Sequence, residues 1–164
     1  MIDRRYAITM AAYNHWMNTK LYDCAARLSD EQRRQDRGAY FKSLHGTLDH
    51  IISGDTMWMH RFTGRSIDDL SIAGRSDAFA GLRAHRESLD AEITAWAATL
   101  EPTWLAADFA YYSKAYAAHY TKPAWLLVSH FFNHQTHHRG QATTLLMQFG
   151  IDPGATDLPA MPGA

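Results

Sequence analysis

The sequence predicts an all-α protein, a four-helix bundle, and three observations predict it. Four stretches carry apolar residues at steps of three and four, no stretch alternates convincingly as sheet, and no internal repeat divides the 164 residues. At this length a single domain over residues 1–164 can bury a real core.

The first helix shows Tyr6, Met10, Tyr13, Met17, Leu21, Cys24 and Leu28 on one face and ends near Ser29-Asp30. Residues 30–41 are polar and read as a connection with room for a helical turn. Ser43 offers an N-cap to the second helix, whose stripe is Leu44, Leu48, Ile51, Asp55, Trp58 and Phe62, and Gly64 stops it. Residues 65–75 form a second connection. Ser76 can cap a third helix carrying Phe79, Leu82, Arg86, Leu89, Ile93, Trp96 and Leu100, which Pro102 closes. The aromatic-rich stretch from Thr103 to Tyr120 reads as a long extended crossover before the last helix, with the makings of a short hairpin. Thr121 is expected to cap the last helix, with Pro123 in its first turn. That helix places Val128, Phe131, Gln135, His138, Ala142, Leu145 and Phe149 on its stripe, and Gly150 and Pro153 end it. The tail from Pro153 onward should be irregular.

Composition narrows the function. Sixteen basic residues stand against 17 acidic ones, a formal net charge of −1, which gives no electrostatic case for nucleic acid or an anionic membrane as partner. No run of 18 apolar residues predicts a membrane span, and the charged N-terminus lacks an apolar signal core, so the expected location is the cytoplasm. Cys24 is the only cysteine, which excludes an internal disulfide and any Cys-x-x-Cys motif. If thiol chemistry occurs here, the thiol arrives as a cosubstrate.

Histidine supplies the chemical signal. Four of the ten histidines fall within residues 130–138. His134 and His138, four apart, project from one face of a helix and can share one metal ion. His130 extends that row by a turn, and His137 lies about 60° away round the helix. The second helix offers His45, His50 and His60 as a third ligand. The set His50, His134 and His138 is feasible on spacing, with His130 and His45 as rivals. His15, His60, His85 and His119 read as ordinary hydrogen-bonding imidazoles, and Trp58, Trp96, Trp104 and Trp125 as core material. Polar residues on apolar stripes cost free energy unless partnered. Asp55 is therefore either a second-layer group that orients a ligand imidazole or takes a proton, or half of a salt bridge; Arg86 reads as a boundary position.

The run Asn133-His134-Gln135-Thr136-His137-His138-Arg139-Gly140-Gln141 resembles the N-H-x-x-H-H-R-G-Q signature of the DinB/YfiT-like superfamily of metal-dependent enzymes. Tyr13-Asn14-His15-Trp16-Met17-Asn18 is similar to that family's first-helix Y-N-x-W-x-N. Leu48-Asp49-His50-Ile51-Ile52, with Trp58 and Arg61 behind it, is similar to its second-helix ligand segment, and Gly150-Ile151-Asp152-Pro153 to its C-terminal end. The resemblance spans nearly the whole chain in the family's order. It implies an up-down-down-up four-helix bundle, often a homodimer. It also implies a divalent metal, commonly zinc or nickel, on His50, His134 and His138. Arg139 would then pair across the bundle and Gly140 serve close helix packing.

Three histidines leave a coordination position open, as catalytic sites do. The expected function is thiol-dependent S-transferase-type chemistry on a small-molecule substrate, with a low-molecular-weight thiol as cosubstrate. The alternatives are a metal-dependent hydrolase using bound hydroxide and a non-catalytic, stress-associated metal-binding protein.

Overall fold

The computed structural model describes residues 2–67, 70 and 77–163. The chain is mostly helical, with α1 at Arg4–Ala26, α2 at Asp30–Arg34, α3 at Leu44–Phe62, α4 at Phe79–Thr99, α5 at Pro102–Ala106 and α6 at Ala124–Gln148. Between α5 and α6 lies a two-stranded antiparallel sheet, β1 at Asp108–Ser113 and β2 at Ala118–Pro123. The fold is therefore not strictly all-α: the aromatic crossover closes into a hairpin in which Tyr111 pairs with Tyr120 and their rings stack at 5.7 Å.

Among the long helices, α1 packs on α4 and α6, and α3 on α6 and α4. The apolar stripes explain this, because Leu21, Leu48, Ile52, Leu82, Ile93, Phe131 and Leu145 are all buried in one cluster. At the hairpin end the core is aromatic. Phe62 and Trp96 stack at 4.9 Å, and Trp104, Phe109 and Phe131 meet Phe62 edge-on.

Helix ends follow local chemistry. Asp3 caps α1 through its side chain, which accepts from the Tyr6 N–H. The polar connection holds α2, opened by a capping box between Ser29 and Gln32. Ser43 caps α3 as expected, accepting from the Gly46 N–H at 3.1 Å.

One expected cap falls outside the described residues and another fails. Ser76 lies outside the described residues, and α4 starts after Ala78, which has no capping side chain. Thr121 does not cap the last helix: it pairs with Ala110 in the sheet, so the strand runs to Pro123 and α6 begins only at Ala124. Proline can end that strand and open a helix because its fixed φ suits both and it donates no hydrogen bond. Pro102 similarly opens α5, so the stretch after it is not extended throughout. Beyond α6 the tail is irregular apart from one 3₁₀ turn at Leu158–Ala160, and the Tyr13 hydroxyl donates to the Thr156 carbonyl at 2.6 Å.

Arg86 departs furthest from expectation. It is not a boundary residue but is 2 % exposed, and it bridges Asp55 of α3 at 2.6 Å and Asp90 of its own helix at 2.8 Å. Asn14 and Asn18 of α1 donate to Asp90 at 3.0 and 2.9 Å, and Arg139 of α6 donates to Asn14 and to Thr136. Arg86 thus ties the two aspartates together, and Asn14, Asn18 and Arg139 extend the polar network to all four long helices. The Tyr-Asn-x-Trp-x-Asn run of α1 owes its asparagines to this network. Arg139 pairs across helices as expected and lies against the Tyr13 ring at 5.2 Å.

Candidate metal centre

His134 and His138 stand one turn apart on α6, and His50 reaches them from the middle of α3, the helix packed alongside. Nε2 of His134 lies 3.3 Å from Nε2 of His50 and 3.1 Å from Nε2 of His138. Among the described residues these three are the group of possible ligands whose donor atoms converge within 4.8 Å. His130 stays outside this group, its ring centroid 6.0 Å from that of His134. His45 is also apart, with Nε2 3.8 Å from Asp77.

How the backbone makes room is visible at Gly54. A Cβ there would meet Cε1 of His134 at 2.7 Å, so only glycine lets the imidazole lie flat against α3. Gly46 does the same for the preceding loop, since a Cβ would fall onto the Phe41 carbonyl. The loop thereby delivers Phe41, whose ring stacks on His50 at 3.8 Å and meets His138 edge-on at 5.5 Å. Gly140 has no such duty: nothing lies within 4 Å of the place its Cβ would take, which corrects its expected packing role.

Protonation favours a cation at the centre. Nδ1 of His138 lies 2.8 Å from Oε1 of Gln141, an acceptor, a contact that favours the tautomer with the proton on Nδ1 and a bare Nε2 lone pair turned inward. The amide nitrogen of Gln141 lies 3.3 Å from Nε2 of His137. Burial and the neighbouring imidazoles push His50 down to about 4 and His134 to about 3, and burial lowers His138 as well. All three are neutral at pH 7, the form that ligates metals. One Nε2 of His134 cannot satisfy two nitrogen neighbours with a single proton. A shared cation satisfies all three: imidazoles bound at about 2.0–2.1 Å to a tetrahedral ion would hold their nitrogens about 3.3 Å apart. The donor set fits a divalent metal.

Asp55, the other residue singled out by its place on a stripe, gives its carboxylate to Arg86. Among the described residues none of the three imidazoles hydrogen-bonds to it. Sequence reasoning missed Gln141, Phe41 and Gly54 as parts of the site. Gln141 carried a signal, three residues after His138 on a helix, whereas Phe41 and Gly54 owe their roles to contacts between segments.

Beside the cluster, which it shares only through His134, runs a groove of about 510 Å³ lined by His130, Asn133, His134, Thr136 and His137 of α6. Among the described residues no helix is long and apolar enough to cross a membrane.

These features define a helical protein with a three-histidine cluster able to hold a metal ion. The sequence pattern of the DinB family matches residues 1–163, and the chain belongs to that family. It is similar to Protein DinB of Bacillus subtilis (strain 168), with 25% identity over 168 residues, covering 93% of this chain and 91% of that protein.

Two substitutions probe the supports of the site. Gln141→Leu removes the acceptor that holds the His138 tautomer, and zinc affinity measured by chelator competition is expected to fall about 10–100-fold. An unchanged affinity would show that Gln141 is a bystander. Gly54→Ala should favour the helix intrinsically by about 1 kcal/mol yet displace His134. The expected result is zinc binding weaker by ~10-fold or more with the helical circular dichroism retained. Wild-type affinity in this variant would mean that His134 can relax away from α3 at no cost.

Proposed function

We propose that the protein is a metal-dependent enzyme whose divalent ion, zinc or nickel, sits on His50, His134 and His138. The chemistry proposed is transfer involving a low-molecular-weight thiol and a small electrophile. The convergence of three Nε2 atoms at 3.1 and 3.3 Å separations is the observation that carries this reading. A divalent ion on three imidazoles keeps an open position and lowers the pKa of a thiol or water placed there. Around it the chain's own groups divide the work. Gln141 holds the His138 lone pair inward, Phe41 screens one side from water, and the groove gives small molecules access from the α6 side. We read the four long helices as an up-down-down-up bundle and the working form as a homodimer, in keeping with the family resemblance.

The test is turnover by zinc- and nickel-loaded protein with cysteine, glutathione or dithiothreitol against monobromobimane and 1-chloro-2,4-dinitrobenzene. Thiol-dependent turnover above the uncatalysed rate, abolished in His50→Ala, is the expected outcome. Turnover that needs no thiol would reassign the centre to hydrolysis, and inactivity with every pair would remove the transferase reading.

A further inference from the structure

The histidine cluster has a covered side and an open one. His134 is the member that lines the groove, whereas His50 and His138 are the two that Phe41 touches. The Phe41 ring lies nearly flat on the His50 imidazole, with 19° between the planes, and Tyr40, which is 84 % exposed, meets it edge-on at 4.8 Å. Among the described residues Phe41 belongs neither to the buried core nor to the apolar side chains packed against it. A ring left out of the core and laid across two imidazoles has a reason other than core packing.

Residues 37–42 carry that ring as a small closed loop. The Arg37 N–H donates to the Lys42 carbonyl at 2.8 Å, and the Lys42 N–H to the Ala39 carbonyl at 2.7 Å. Gly38 and Lys42 stand near its two ends with φ of 74° and 65°. Across Lys42 the Ser43 N–H donates back to the Phe41 carbonyl at 2.7 Å. A hydrogen bond between residues two apart, spanning a positive φ, is the pattern of the strained γ-turn, and lysine has a Cβ that resists it. Strain of this kind collects at clamps and switches, where neighbouring contacts impose it. Here the imposing contact is the seat of Phe41 on His50. Arg37 ties the loop to the body through its guanidinium, 4.0 Å from the Phe149 ring, and Ser43 ties it to α3 as the cap. Because these internal hydrogen bonds stay within the loop, it can swing without unravelling a helix.

We propose that residues 37–42 are a movable cover over the histidine cluster, and that Phe41 sets how fast a divalent ion enters and leaves it. This rests on the reading that the three histidines hold a metal. With the ring seated, solvent and competing chelators are kept off His50 and His138 on that side. With the ring lifted, both imidazoles can be approached. The strain at Lys42 keeps the two states close in free energy, as a part that must open requires. The groove stays on the other side of the cluster, so the exchange of the ion and the traffic of small molecules use different faces.

Stopped-flow exchange of zinc with 4-(2-pyridylazo)resorcinol tests this in both directions, uptake by chelator-treated protein and loss from loaded protein. Phe41→Ala is expected to speed uptake and loss together by about 3–10-fold, the worth of one aromatic contact, with the affinity changed less than about twofold. Faster loss with unchanged uptake would make Phe41 an ordinary support of His50 and overturn the cover. Lys42→Val puts a β-branched residue at a positive φ, disfavours the seated loop without touching the ring, and should also speed both rates. Rates equal to wild type in both variants would overturn the proposal. Carbethoxylation by diethyl pyrocarbonate, mapped by peptide mass spectrometry on chelator-treated protein, needs no metal. His50 should react about 3–10-fold faster in either variant. His130, exposed in the groove, should react at the wild-type rate. Unchanged reactivity of His50 would show that nothing covers it. Wild type that takes up no zinc would overturn the metal reading itself, and carbethoxylation would then decide on the cover alone. Should Phe41→Ala fail to fold, Lys42→Val decides.

Discussion

His134→Ala is expected to leave the purified protein without metal, while the wild type carries close to one zinc or nickel ion per chain by plasma mass spectrometry. His134 is the middle member of the cluster, its Nε2 within 3.3 Å of both partners. Dividing the roughly 10–16 kcal/mol of a four-ligand zinc site among its ligands assigns about 3 kcal/mol to one imidazole, or a loss of ~100-fold or more in affinity. The loss should exceed that from Gln141→Leu, which removes only a supporting hydrogen bond. His130→Ala is the matching control: it deletes an imidazole one turn away that does not join the converging nitrogens, and metal content should stay at the wild-type level. Retention of metal by His134→Ala, or its absence from wild type even after reconstitution with zinc and nickel, would sink the metal assignment and the enzymatic reading with it.

The second large effect is on stability. Arg86→Met removes the guanidinium that faces both Asp55, 0 % exposed, and Asp90, 3 % exposed. Breaking a buried charge pair by deleting one partner costs about 3–5 kcal/mol, because the remaining charges keep their desolvation penalty. Out of a total stability of roughly 5–15 kcal/mol this is a large share. For a chain of this size it corresponds to a drop in Tm of roughly 6–20 °C. Calorimetry of wild type and variant checks it, and melting within about 2 °C of wild type would show that the aspartates are not held by Arg86. The network reaches the site indirectly: Asp55 lies one residue from Gly54 on α3, and Arg139 lies one residue from His138 on α6. A variant that survives should therefore also bind zinc less tightly.

Periodicity carried much of the helical core, since Leu48, Ile51, Leu82, Ile93, Phe131 and Leu145 are buried as their stripes require. Burial of a stripe is a local rule, and it failed where partners came from elsewhere. Arg86 on a stripe reads as a boundary residue until Asp55 and Asp90 are seen to neutralise it, and those contacts join residues 31 apart and four apart. Spacing proposed His134 with His138, because both lie on one helix face, but could not choose between His50 and His45 across the helix packing. The family motif made that choice, and the converging nitrogens agree with it. Gly140 sat within the motif and attracted a packing role that belongs to Gly54, whose importance rests on one contact with a ring 80 residues later in the chain. Thr121 looked like a cap because a capping residue and a strand residue share the extended conformation before a proline. The hairpin register alone separates them.

Strand β2 passes into α6 at Pro123 and Ala124 with no intervening loop, and the Ala124 N–H is tied to the Ala107 carbonyl at 2.9 Å. A flap needs a hinge at its root, and a proline with fixed φ joined directly to a helix is a poor one. The hairpin and the helix that bears His134 and His138 therefore move as a single lever arm, braced at its far side where Arg61 grips the Tyr112 carbonyl. Rigid walls spare a ligand the entropy of ordering a lid, at the expense of adaptability. Any selectivity of such a cleft would rest on shape and charge already in place, not on the opening and closing of this hairpin.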